Sequence, residues 1–190
     1  MDDALSVSLA VSADADSRDA IIAEAAKSDS EAFGELYERY YSRIYRYVYH
    51  RVGNVADAED LTALVFMKAL EAIPAYQPRQ GGFAPWIFRI ARNGVVDYYR
   101  RYRHVSTLDD VNHEATDGDP VSRTLGLERR AELRAMVERL SDEQREVVLL
   151  RYAADLSFGE IAAAMRKNEP AVRMLLHRGL RKLKAVMDGG

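Results

Sequence analysis

The chain has 190 residues, 48% of them hydrophobic and 30% charged, with a formal net charge of -3; this balance suits a soluble folded protein of one domain or two small ones. It contains no Cys, which excludes disulfides and thiolate metal sites and agrees with a reducing, cytoplasmic setting. No basic segment precedes an apolar run at the N-terminus, so no secretory signal is expected, and no apolar run approaches the roughly 20 residues of a membrane span.

Residues 1–17 carry Asp2, Asp3, Asp14 and Asp16 and no Lys or Arg. Leu5, Val7, Leu9 and Val11 alternate like a strand, but no second strand is at hand to pair with it. The segment reads as a mobile acidic tail. From Arg18 to Ile73 the spacing is helical. Ile21, Ile22 and Ala25 begin it, and Phe33, Leu36, Tyr37, Tyr40, Ile44, Tyr47 and Val48 form a long stripe at three–four spacing. Gly53-Asn54 is a break. A further helix puts Leu61, Val65, Ala69 and Ile73 on one side, with Phe66 and Leu70 beside them, and Pro74 ends it. Asp57, Glu59 and Asp60 sit in its first turn, where they complement the helix dipole. Pro78, Gly81 and Gly82 mark a loop.

Phe83 to Arg103 begins apolar and aromatic and ends basic. Phe83, Ile87, Ile90, Ala91 and Gly94 draw one helical stripe, and Pro85 suits a first turn. Between Arg89 and Arg103 lie five arginines against Asp97 alone, interleaved with Tyr98, Tyr99 and Tyr102. Arginine with exposed aromatics holds phosphate and stacks unpaired bases; a core helix with a solvated basic end has the same pattern. Residues 104–126 then lose apolar periodicity and carry Asp109, Asp110, Glu114, Asp117 and Asp119 with no basic partner until Arg123. They read as a flexible acidic linker between two domains that can reorient.

The last stretch is helical again. Leu133, Val137 and Leu140 form one stripe. Ser141 with Gln144, and Ser157 with Glu160, are capping boxes. Phe158, Ile161, Ala162 and Met165 make a short apolar face, Arg166-Lys167-Asn168 turns the chain, and Asn168 caps a final helix with Val172, Leu176, Leu180 and Leu183 inside. A short helix, a tight turn and an amphipathic helix form a helix-turn-helix layout. From Arg166 to Lys184 seven Lys or Arg stand against Glu169. Arg173 and His177 sit in the half of the helix that reaches base edges; Arg181 and Lys184 lie where phosphate contacts are made.

These residues carry a resemblance. Leu140-Ser141-Asp142-Glu143-Gln144-Arg145-Glu146-Val147-Val148-Leu149-Leu150-Arg151-Tyr152, then Leu156 to Ala162, then Val172-Arg173 and Leu176-His177-Arg178 resemble region 4 of bacterial sigma-70 family factors. Glu31-Ala32-Phe33 with Leu36-Tyr37 resembles the start of region 2. Asp57 to Leu61 with Phe66 and Lys68 resembles its polymerase-binding helix, and Trp86 to Asn93 with Asp97 and Arg100-Arg101 its promoter-melting helix. With no room for a third domain, the resemblance is to the extracytoplasmic-function (ECF) group, which has regions 2 and 4 only.

The resemblance implies an all-α protein of two small helical domains. Region 2 covers 18–103, a linker 104–126, and region 4 127–187. It implies a factor, not itself an enzyme, that binds core RNA polymerase, reads promoter DNA and is typically restrained by an anti-sigma factor. It needs no cofactor or metal, and His50, His104, His113 and His177 have no ligand-like spacing. The −10 contacts would fall on Trp86, Arg92, Asn93, Asp97, Tyr98, Arg100 and Arg101, with Trp86 better suited to the core. An amide such as Asn93 donates and accepts at a base edge. The −35 contacts would fall on Lys167, Arg173, His177, Arg178 and Arg181, and the polymerase contacts on Asp57, Asp60, Leu64, Phe66 and Lys68. Ala63 and Leu64 stand where the family usually has Gln and an acidic residue. Ala171, Met174 and Leu175 depart from its usual Thr-Val-Lys-Ser-Arg run.

The rival reading is a stand-alone helix-turn-helix regulator with an all-α sensor domain. Base-stacking aromatics at 86–103 speak against it, since a duplex reader does not need them. A recombinase built on Tyr98 or Tyr99 with His177-Arg178 lacks the convergent basic residues around one tyrosine that such chemistry requires.

Overall fold

The computed structural model describes residues 17–78, 82–106 and 135–188, the side chains of 102–106 excepted. The acidic tail up to residue 16, the linker from residue 107 on, and Tyr102, Arg103, His104, His113 and Leu133 as side chains lie outside the described residues. Every regular element described is helical: α1 (residues 17–25), α2 (Ser30–Val52), α3 (Val55–Ala72), α4 (Phe83–Ser106), α5 (residues 135–138), α6 (Asp142–Tyr152), α7 (Phe158–Met165) and α8 (Glu169–Asp188). Helix α4 thus runs three residues past the boundary expected at 103, and a single 3-10 turn, Ile73–Ala75, carries Pro74 at the end of α3.

Helices α1 to α4 form the first domain. Asp29 caps α2 by accepting from the Glu31 N–H. Gly53 closes it with φ 85°, a left-handed conformation that costs a residue without Cβ nothing, and its N–H reaches the Tyr49 carbonyl. Asn54 then caps α3 through the Asp57 N–H. These back-to-back caps turn the chain within two residues and lay α3 antiparallel against α2. Phe33, Leu36, Tyr40, Ile44, Tyr47 and Val48 of the long stripe are buried, and so are Leu61, Val65, Ala69 and Ile73. Tyr37 and Leu70 were expected with them but stand 41% and 49% exposed. Each sits at the edge of its stripe, where the helix surface has already turned outward.

Helix α4 packs on both α2 and α3. Gly94 sits at the contact with α3, where a Cβ would meet Leu61 Cδ1 at 3.4 Å, an ordinary van der Waals distance. Helix α1 is fastened by Asp19, which is 4% exposed. Its carboxylate accepts from Arg39 at 2.5 Å and from the buried Tyr40 hydroxyl. Burial, and then that hydrogen bond, hold the Tyr40 pKa well above the ordinary tyrosine value.

Helices α6 to α8 form the second domain. Both capping boxes are present: Ser157 Oγ accepts from the Glu160 N–H at 3.2 Å while the Ser157 N–H donates to Glu160 Oε2 at 2.6 Å, and Ser141 with Gln144 does the same. Arg166, at φ 55°, ends α7, and Asn168 Oδ1 caps α8 through the Ala171 N–H. The inner row of α8 is Val172, Leu176 and Gly179, with Leu183 half-buried. Leu180, expected inside, is 38% exposed, because steps of four, three and four carry the stripe through 179 instead.

The sequence suggests two domains free to reorient, whereas here they pack together. Helix α4 lies against α7, and one cluster of buried apolar side chains runs from the first domain into the second.

Candidate nucleic-acid interface

Helix α4 has three working sides, set by its 3.6-residue period. One packs on α3: Gly94 touches it, and Tyr98 donates its hydroxyl to Asp57 Oδ2 at 2.6 Å. The opposite side faces α2 and the second domain and carries Phe88, Arg92, Val95 and Tyr99. Tyr99 donates to the Arg51 carbonyl. The third side is open. Trp86, Arg89, Asn93, Val96, Asp97, Arg100 and Arg101 lie along it, with Asn93, Val96, Arg100 and Arg101 exposed and the others half-buried. Trp86 is half-buried as an edge of the core, its ring centroid 5.1 Å from Tyr76 and 5.2 Å from Phe83. The core thus fixes one edge of the indole, two helical turns before Asn93 on the same side. Asp97 pairs with Arg100 at 3.1 Å.

Of the −10 residues expected from the sequence, Trp86, Asn93, Asp97, Arg100 and Arg101 share this open side. Tyr98 is tied to Asp57 in the first domain. Arg92 is separated from the open side by the second domain. Its Nε donates to Glu146 Oε1 at 2.8 Å and one terminal nitrogen donates to the Ala164 carbonyl at 3.0 Å.

Glu146, on α6, is the centre of a buried polar cluster, with its side chain 7% exposed. Besides Arg92 it accepts from the Tyr47 hydroxyl at 2.8 Å and from Arg51 at 2.7 Å. Burial pushes the Tyr47 pKa well above its usual value, and the Glu146 charge adds to the rise. One turn away, Arg43 donates to the carbonyls of Ala154 and Asp155 at 2.8 and 3.2 Å while its guanidinium lies over Tyr40 and Phe88. Sequence reasoning assigned no role to Arg43, Arg51 or Glu146. The signal was available for the first two, since Arg43, Tyr47 and Arg51 recur every four residues on one side of α2. Glu146 offered none, being one acid among many in its helix.

In α8, Arg173, Met174, His177, Arg178 and Arg181 all lie on the exposed side. The Arg173 guanidinium sits 4.0 Å from the centroid of Phe158 and 3.3 Å from Glu169 Oε2, so two neighbours fix its direction. Lys167 is half-buried and pairs with Glu143 at 2.6 Å. In α3, Asp60 is exposed and Leu64 and Lys68 are half-buried. Phe66 is 4% exposed and packs on Tyr37 at 4.6 Å. Asp57 is engaged by Asn54 and Tyr98. The outward surface of α3 therefore includes Asp60, Ala63, Leu64, Met67 and Leu70, with Met67 53% exposed, flanked by the exposed Glu59 and Glu71. Among the described residues no group of three or more His, Asp or Glu could hold a metal, and no helix is long and apolar enough to cross a membrane.

Comparison with known proteins assigns each domain a family. The Sigma-70 region 2 family matches residues 36–105 and the Sigma-70 region 4 family residues 130–183. The ECF RNA polymerase sigma factor BldN of Streptomyces coelicolor is 36% identical over 170 residues, which cover 88% of this chain and 64% of BldN. The chain thus spans less than two thirds of that relative. The ECF RNA polymerase sigma factor SigD of Mycobacterium tuberculosis is 31% identical over 175 residues, 87% of this chain and 82% of SigD. Among solved structures, CnrH in complex with the cytosolic domain of CnrY shares the fold with a TM-score of 0.71 at 25% identity, covering 90% of this chain and 97% of CnrH. With a region 2 match over residues 36–105, a region 4 match over residues 130–183 and ECF relatives above 30% identity, the chain belongs to the sigma-70 family, in its ECF group.

Proposed function

We propose that this protein binds core RNA polymerase and directs it to promoters, region 4 docking on the −35 element and region 2 holding the melted −10 strand. The observation that carries the reading is the open side of α4. Along it run a core-anchored indole at Trp86, the cation Arg89, the exposed amide of Asn93 and the cations Arg100 and Arg101. An unstacked base needs that combination: an edge to pair with, a ring to stack on and charge for its phosphates. On region 4, Arg173, His177, Arg178 and Arg181 form the second basic face.

Polymerase is taken up by the outward surface of α3, where Ala63, Leu64, Met67 and Leu70 replace polar contacts by apolar ones beside Asp60 and Lys68. The protein catalyses nothing itself and acts in the cytoplasm, where polymerase is. An anti-sigma factor is its third partner; the solved complex of CnrH with a CnrY domain illustrates such a pairing of this fold with another protein. A stand-alone regulator has no counterpart for the region 2 match over residues 36–105.

Asn93→Ala tests the assignment. It should leave association with core polymerase unchanged in gel filtration and reduce permanganate-reactive promoter opening by about tenfold or more, the loss of one to two good base-edge hydrogen bonds. Equal loss of association and opening would place Asn93 at the polymerase contact instead.

A further inference from the structure

Arg43, Tyr47 and Arg51 of α2 and Arg92 of α4 present their donors on one side of region 2, and region 4 supplies the acceptors across the interface. Those acceptors are both oxygens of Glu146 and the carbonyls of Ala154, Asp155 and Ala164. A row of three guanidiniums is a phosphate-binding arrangement, because each fork matches two anionic oxygens. The carboxylate seated between two of them is the anion that region 4 provides.

We propose that Glu146 is an intramolecular latch. It occupies, in place of nucleic-acid phosphate, the Arg51–Arg92 part of an anion-binding row on region 2 that Arg43 completes, and so holds the protein closed. The proposal rests on the nucleic-acid reading above and adds Arg43 and Arg51 to the residues that meet DNA. The latch is built to release. Arg51 Nε is buried without a hydrogen-bond partner among the described residues, and Arg92 is still 28% exposed. The closed state therefore leaves a donor unsatisfied that opening would expose to a phosphate. Opening frees the Arg92 side of α4, which lies next to the Asn93 side, so one strand can cross from one to the other. A domain pair held shut lowers its apparent DNA affinity by the fraction of molecules that are open.

The absence of native Cys makes the test direct. Cysteines introduced at Ser42 and Ala185, both exposed, carry spin labels that report the distance between α2 and α8 with neither polymerase nor DNA present. Glu146→Gln should lengthen and broaden that distance. It should also tighten binding of a 30-nucleotide single-stranded DNA several-fold in fluorescence anisotropy, and adding Arg51→Met should cancel the gain. Tyr47→Phe, which keeps the ring and removes one donor to Glu146, should shift both readouts in the same direction by less, and stands in for Glu146→Gln if that variant loses helical signal. An unchanged distance in a variant with wild-type helicity overturns the latch. A gain in affinity that survives Arg51→Met overturns the phosphate-binding row. The distance measurement involves no promoter, so failure of the latch is distinguishable from failure of the sigma-factor reading.

Discussion

Arg173→Ala separates two roles of one side chain, and their sizes follow from its surroundings. The side chain is 58% exposed and its Glu169 partner 48%, so their i, i+4 pair contributes about 0.3–0.5 kcal/mol. The guanidinium over Phe158 adds about 0.5–1 kcal/mol at an exposed site. Stability should therefore fall by about 1 kcal/mol or slightly more. If the same fork reads a base edge in the −35 element, DNA binding should fall by about 1–3 kcal/mol, or about 5- to 150-fold. Anisotropy of holoenzyme on a set of −35 variants, at several salt concentrations, reads the second effect, and urea unfolding reads the first. The loss should be largest for the preferred base at one position and should shrink to little at its mismatches. Arg173→Lys should recover stability but not discrimination, since an ammonium cannot reproduce the fork. A uniform loss across all sequences, with a salt slope shallower by about one, would make Arg173 a phosphate contact. No loss at all would remove α8 from the promoter interface.

Two further outcomes concern region 2. Gly34 lies inside α2 with nothing within 4 Å of where a Cβ would sit, so Gly34→Ala should raise stability by about 0.5–1 kcal/mol, and a lowered urea midpoint would contradict the packing described. The Tyr40 and Tyr47 hydroxyls have pKa values raised above the 10.0 of a free tyrosine. Their contribution to stability is thus fully present below about pH 10 and is lost as pH rises beyond it, because the unfolded chain releases those protons first. Replacing both by Phe should flatten the fall in stability between about pH 9 and about pH 11; an unchanged slope would mean that neither hydroxyl is kept protonated by the fold.

Much of the architecture was legible because local signals and tertiary packing agree. Ser141 with Gln144 and Ser157 with Glu160 form the boxes their spacing predicts, and the α2 and α3 stripes are buried nearly as read. Errors fell at stripe edges. Tyr37, Leu70 and Leu180 are apolar residues one step past the buried arc, and periodicity alone does not say how wide that arc is. The open side of α4 could be placed from its order of residues. What divides Arg92 from Asn93, adjacent in sequence, is a contact with α6 and α7, more than 50 residues away. The acidic linker suggested independent domains, and no pattern within either domain indicates that Glu146 would join them. The α2 side of the cluster repeats every four residues, but its single acidic partner on α6 leaves no period in the sequence.

The most direct measurement adds the purified protein to core RNA polymerase on a library of genomic fragments and maps the 5′ ends of the transcripts. The account predicts transcripts with defined start sites, sharing one −10 and one −35 motif, that appear with wild-type protein and are much reduced with Asn93→Ala. No start-specific transcripts, together with tight duplex binding by the protein alone, would contradict it.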